Sequence, residues 1–225
     1  MENKKITLPT AIIIAGLLIM IGIIVNKNPK QESKPVENKS DTTILVAPLN
    51  ENDHVLGDVE NAELLVIEFS DIECPVCKDF YLVLKQAVEK YPIAWVYRHY
   101  PIESSHPIAR NEARATECAD KLGGNEIFWK YLDKIFENIP NLDQNLLPIL
   151  AKEVGLDKDS FNECMKNTKE LDELINTDMF DAQTAGLKGT PHNIIVTKNQ
   201  TKIPLNGALS ETEFNSLIES ILEEF

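Results

Sequence analysis

Basic residues are scarce in this chain: 22 Lys and Arg stand against 36 Asp and Glu, a formal net charge of -14 over 225 residues. That balance argues against a nucleic-acid partner, which requires a concentrated basic surface. Beyond solubility the acidity indicates little. Internal repeats are absent. Cysteine is sparse too, with four residues at positions 74, 77, 118 and 164. Only Cys74 and Cys77 are close in sequence, and no second Cys/His pair accompanies them, which argues against an ordinary zinc site. Hydrophobic residues at 43% and charged residues at 26% argue against wholesale disorder, and the length suffices for one sizeable core.

Residues 6–25 (ITLPTAIIIAGLLIMIGIIV) carry no charge and have about the length needed to cross a hydrocarbon core. They lack a small-x-small cleavage site and exceed the usual signal core, so residues 1–25 read as a membrane anchor. A cleaved signal peptide and a buried core helix are the alternatives. Lys4 and Lys5 precede the segment, as for a cytoplasmic N-terminus. Lys27, Lys30, Lys34 and Lys39 beyond it weaken that orientation argument. Residues 26–43 are rich in Lys, Glu, Ser and Pro without apolar periodicity and read as a flexible tether. The domain itself is expected over residues 44–225, on the extracytoplasmic side of the cell membrane.

Within it, residues 64–69 (LLVIEF) form a buried strand by pattern. A helical pattern follows Cys74-Pro75-Val76-Cys77, with Phe80, Leu84, Ala87, Val88 and Tyr91 on one face, and Pro92 ends it. Residues 93–97 (IAWVY) are a second strand, making a βαβ unit. From about 105 to 187 the chain reads as a helical insertion, with Ser160 and Glu163 as a capping box in one of its short helices. Residues 193–197 and 202–205 flank Lys198-Asn199-Gln200 as a hairpin, and Ser210 to Glu213 is a capping box opening a final helix.

The Cys74–Cys77 pair lies where a strand ends and a helix begins. Unpaired N–H groups and the positive end of the helix dipole favour a thiolate there, which predicts a depressed pKa for Cys74. Cys77, one turn later, can attack a mixed disulfide on Cys74 and release the partner. Pro75 suits the first turn, where a missing N–H costs nothing. Half of a zinc site and a purely structural disulfide are the competing readings of the motif.

More of the chain carries a resemblance. Residues 68–78 (EFSDIECPVCK), 97–101 (YRHYP), 105–110 (SHPIAR), 117–119 (ECA), 128–129 (FW), 161–164 (FNEC) and 189–192 (GTPH) occur in the order and context of the DsbA-like thiol–disulfide oxidoreductases. The match runs through most of residues 64–225 and includes the Gram-positive BdbD branch. The resemblance implies an α/β thioredoxin-like fold interrupted by a helical domain. It implies catalysis by Cys74 and Cys77, with Glu68 as a buried acid that passes protons to or from Cys77. Thr190 and Pro191 match a cis-proline loop against which an extended substrate pairs; Pro75 and Val76 are the substrate-facing residues between the cysteines. No cofactor or metal is called for. The partners implied are reduced exported proteins and a quinone-linked membrane protein of DsbB or VKOR type.

The chain also departs from the family. Familiar members carry His where Val76 stands, and that His favours the reduced thiolate, so oxidising strength is in question. His192 replaces a smaller residue after the proline, leaving open a place beside Cys74 or a packing role. His99 and His106 read as helix-entry or packing residues, and His54 has no evident role. Cys118 and Cys164, on different helices, could form a disulfide worth about 4 kcal/mol over a loop of roughly 45 residues; two buried free thiols or a relay pair are the alternatives. The leading expectation is a dithiol oxidase. A disulfide isomerase or reductase comes next, then a non-catalytic module that binds a metal or a client.

Overall fold

Strand β2 (Leu64–Ser70) occupies the centre of a five-stranded sheet of order β1-β3-β2-β4-β5. The computed structural model describes residues 44–139 and 141–225; the expected anchor at 1–25 and tether at 26–43 lie outside them. Among the described residues no helix is long and apolar enough to cross a membrane.

β2 runs parallel to β3 (Ile93–His99), and helix α1 (Pro75–Lys90) makes the crossover between them. β1 (His54–Leu56) pairs antiparallel with β3 at one edge; β4 (His192–Thr197) and β5 (Lys202–Asn206) extend the other side antiparallel. Every residue of β3 is buried, as expected of a strand covered on both faces. Because side chains alternate, Val66, Trp95, Tyr97 and Ile195 face one way and join the larger core with Phe80, Tyr81 and Leu84 of α1. The C-terminal helix α7 (Glu211–Glu224) adds Phe214 and Ile218 to that core. Ile67, Phe69, Val96 and Ile194 face the other way.

Five helices separate β3 from β4: α2 (Ala109–Gly123), α3 (Asn125–Asn138), α4 (Leu147–Glu153), α5 (Lys158–Cys164) and α6 (Thr168–Thr184). They share the core of the sheet. Trp129 of α3 lies 4.6 Å between ring centroids from Trp95, and Phe136 lies 4.5 Å from Tyr81. On the second face, Ala182 of α6 and Ala185 pack with Val46 against the sheet. Arg98, buried there, donates to Asp53 through Nε (2.7 Å) and Nη2 (2.8 Å) and to Asp181 through Nη1 (2.5 Å).

Helix ends follow local chemistry, with one correction. α2 stops at Gly124, whose φ of 76° suits a residue without a side chain. Ser210 and Glu213 form the expected capping box of α7. The expected box of Ser160 and Glu163 is not formed. Asp157 caps α5 instead, accepting from Ser160 N at 2.8 Å, so Ser160 is already inside the helix. A carboxylate at that position competes for the same orphan N–H groups that a Ser cap would serve.

Candidate active site

Cys74 is the N-cap of α1, with extended backbone (φ -72°, ψ 120°), and Pro75 follows in the first turn. Its side chain makes no cap bond, so the sulfur is left to the unpaired N–H groups of that turn. The Cys77 thiol, by hydrogen bonding to the sulfur, is the largest influence drawing the Cys74 pKa down to about 5. The backbone N–H groups of Cys77 and Val76 and the side chain of Thr190 add to this, against burial. Cys77 is fully buried, and burial first, then Cys74 and the charge of Glu68, push its thiol far up. One cysteine is thus set to be a thiolate while its neighbour keeps its proton. Both are free thiols.

The loop before β4 closes over this pair. The Thr190–Pro191 bond is cis, and Cys74 Sγ lies 3.7 Å from the Thr190 carbonyl oxygen. Val76 is exposed to 48% beside the buried sulfurs, an apolar contact point at the mouth of the site.

Glu68, fully buried in β2, accepts from Trp95 Nε1 at 3.1 Å through Oε2, while Oε1 has no partner. Burial pushes its carboxyl up to about 8, outweighing the hydrogen bond from Trp95. Its cross-strand neighbours are Tyr97 and Asn193. Tyr97 Oη, Asn193 Oδ1 and Ser70 Oγ are likewise buried without hydrogen-bond partners, so a polar seam lies on the sheet face that carries α1.

Among the residues singled out in the sequence, the structure brings Cys74, Pro75, Val76, Cys77, Glu68, Thr190 and Pro191 to one place. Cys118 and Cys164 lie elsewhere and are bonded to each other, α2 to α5, with a Cα–Cα distance of 5.8 Å. His192 does not approach Cys74. It pairs with Phe69 in register, on the opposite face from Glu68, and its ring contacts Asn206 Oδ1 (2.9 Å) and Ala185 O (3.4 Å). Burial lowers its pKa.

Two histidines have places that their sequence context did not suggest. His54, without an evident role in the sequence, starts β1, stacks on Phe128 with ring centroids 3.6 Å apart and meets Glu117 Oε1 at 2.9 Å. His54, His99 and Glu117 have ligand atoms within 4.8 Å of one another, a set able in type to hold a metal, but Glu117 already pairs with His54 at 2.9 Å and meets His99 at 3.4 Å. His106 hydrogen-bonds Asp71 just before the cysteines. Neither contact has a local signal, since the partners are 63 and 35 residues away.

The family described as Thioredoxin matches residues 49–220. DsbA2 of Pseudomonas aeruginosa is 29% identical, with a TM-score of 0.64 over 78% of this chain and 97% of that one. Alpha-DsbA1 of Wolbachia pipientis is 21% identical, with a TM-score of 0.67 over 80% of this chain and 95% of that one; it shows the fold. Among curated proteins, the chain is 28% identical over 144 residues to the Na(+)/H(+) antiporter NhaA 1 of Mycolicibacterium vanbaalenii, covering 63% of this chain and 23% of that protein. It is 30% identical over 149 residues to the Na(+)/H(+) antiporter NhaA 3 of Salinispora tropica, covering 65% and 22%. The chain therefore matches less than a quarter of the length of these antiporters. With a thiolate-prone cysteine at a helix start, a buried second thiol and a cis-proline loop against them, the chain belongs to the thioredoxin family, as a DsbA-like thiol–disulfide oxidoreductase.

Proposed function

We propose that this protein is a dithiol oxidase of exported proteins. The observation that carries the reading is the unequal pair: Cys74 is drawn down to about 5 while Cys77 is pushed up. A stabilised Cys74 thiolate favours the reduced enzyme, which makes its disulfide a good oxidant.

A substrate thiolate attacks Cys74 of the Cys74–Cys77 disulfide. The S–S bond breaks, Cys77 leaves with the electron pair, and Glu68, neutral at pH 7, supplies the proton. A second substrate thiolate then attacks the substrate sulfur of the mixed disulfide and expels Cys74 as a thiolate. The substrate loses two electrons and gains a disulfide, and the enzyme is left as the dithiol. Thr190 and Pro191 line the substrate's path, with Pro75 and Val76 on the other side. A quinone-linked membrane protein of DsbB or VKOR type returns the enzyme to its disulfide form. Residues 1–25 hold the domain to the outer face of the cell membrane, a placement that fits an oxidising compartment.

Equilibration of the Cys74–Cys77 couple with glutathione tests the reading. A potential well above that of thioredoxin supports it; a value near about -270 mV overturns it. Carbonate extraction and protease accessibility of the full chain in cells test the anchor and its orientation.

A further inference from the structure

Only Asp71, Ile72 and Glu73 join the end of β2 to Cys74, so the hold on that short turn decides where the Cys74 backbone enters α1. The turn is laced to the chain that follows β3. Ser70 O accepts from Tyr100 N at 2.7 Å, Asp71 Oδ2 accepts from Ile102 N at 2.6 Å, and Glu73 Oε2 accepts from Ile108 N at 3.1 Å. Asp71 carries the largest share of these contacts. Its Oδ2 also meets His106 Nδ1 at 2.9 Å, and its Oδ1 accepts from Glu73 N at 2.9 Å. Its carbonyl accepts from Cys74 N at 3.1 Å. The carboxylate is fully buried. Taking a carboxylate out of water is costly unless its oxygens find partners, and both oxygens of Asp71 have them.

We propose that Asp71 is a positioning residue for Cys74: its carboxylate, anchored to the chain after β3, fixes the turn whose carbonyl takes the Cys74 N–H, and so aims the Cys74 sulfur. The Cys74 side chain makes no cap bond of its own, so backbone placement alone brings its sulfur to the N–H groups of the first turn. Those of Cys77 and Val76 help to hold the Cys74 pKa down, and a displaced backbone would weaken them. The same turn serves the second cysteine, since the backbone of Asp71 draws the Cys77 thiol down against the burial that raises it. Asp71 thus acts on both cysteines through its main chain, while its side chain holds that main chain still. Its charge points the other way. An anion beside Cys74 disfavours a thiolate, so what Asp71 contributes to the thiolate comes through its hydrogen bonds.

The inference deepens the reading of Cys74 as the attacked cysteine and is tested on the full chain with Asp71→Asn. An amide has one acceptor oxygen where the carboxylate has two, so either the Glu73 N–H or the Ile102 N–H loses its partner. The two consequences of the change have opposite signs. Loss of the charge alone lowers the Cys74 pKa or leaves it in place, whereas loss of position raises it. Thiolate absorbance against pH is expected to show a rise of about one unit. Glutathione equilibration should shift about tenfold toward the disulfide, equivalent to about 30 mV. An unchanged or lowered Cys74 pKa in the folded variant overturns the proposal. If the variant fails to fold, hydrogen exchange of the wild-type dithiol decides. The amides of Glu73, Cys74 and Ile102 all end on Asp71 and are expected to share one degree of protection. A Cys74 amide that exchanges freely, or apart from the other two, overturns the proposal. A wild-type potential near that of thioredoxin would instead overturn the oxidase reading, and the comparison of Cys74 pKa values would still judge Asp71.

Discussion

The indole N–H of Trp95 donates to Glu68 Oε2 at 3.1 Å, and Glu68 Oε1 is buried without a partner. The neighbouring strand thus half satisfies a carboxyl in the middle of a sheet. Burial then keeps the group protonated up to about pH 8. A group in this condition destabilises the fold as pH rises, since the unfolded chain releases its proton from an ordinary 4.5 upward and the folded chain holds it. Glu68→Gln is expected to remove that slope, so its melting temperature gains on the wild type between about pH 5 and about pH 8. Exchange with a reduced peptide is expected to slow by about a hundredfold, the lower end of what a positioned proton donor contributes. An unchanged pH–rate profile would show that Cys77 takes its proton from another source.

Cys74 and Cys77 are expected to titrate far apart. Iodoacetamide should modify Cys74 in the reduced native protein with a midpoint near pH 5, while Cys77 stays unmodified until the protein unfolds. The depressed Cys74 pKa also stabilises the folded dithiol form. That contribution is fully present above the ordinary thiol value of 9 and is lost as pH falls through about 5. Denaturation of the reduced and oxidised proteins across this range measures it, and the reduced form should lose ground toward acid.

The Cys118–Cys164 bond closes a loop of sequence separation 46, so Cys118→Ala with Cys164→Ala is expected to lower stability by up to about 4 kcal/mol. Urea denaturation reads the loss. The active-site potential should not move, because this bond joins α2 to α5 and shares no atom with the Cys74 site. A shifted potential would show that the two disulfides are coupled.

His54 is the third pH-sensitive feature. Although burial would lower its pKa, the Asp120 carboxylate 3.7 Å away and the hydrogen-bonded Glu117 carry it to about 9. Glu117, which burial would raise, is drawn to about 2 by His54 and His99. Since the His54 value is raised from 6.5, its stabilisation is complete below that pH and lost as pH rises through about 9. His54→Gln is expected to cost about 3 kcal/mol near neutral pH, the scale for breaking a buried pair. The difference should vanish in alkaline solution. A constant difference across that range would mean that stacking on Phe128, not charge, holds β1 in place.

The parts of the site that sequence made legible are those built within one strand–turn–helix. The β-branched run ending at Phe69, Pro75 in the first turn and the apolar face through Phe80 and Leu84 are local signals, and they locate Cys74 at a helix start. Ser210 and Glu213 worked the same way, because a capping box needs only four residues. The Ser160–Glu163 box had the same pattern, yet Asp157 three residues earlier took the N–H; two good caps in succession cannot be ranked from pattern alone. β1 was missed because three residues are too few to show a period, and its partner strand is some forty residues on.

By itself, the sequence determined the class of chemistry: a Cys-Pro-Val-Cys centre at a strand-to-helix junction, preceded by an acid one residue before the strand's expected end. Helix and strand periods and end caps are short-range properties, so they survive in the order of residues. The tertiary structure decided which groups share a dielectric environment. Strand register put Glu68 against Trp95 and turned His192 to the far face. The return of the chain after β3 brought His106 to Asp71, and the packing of α2 on β1 paired Glu117 with His54. These contacts join residues dozens of positions apart, and burial then fixes their charge. Neither distance nor desolvation is written in the local pattern.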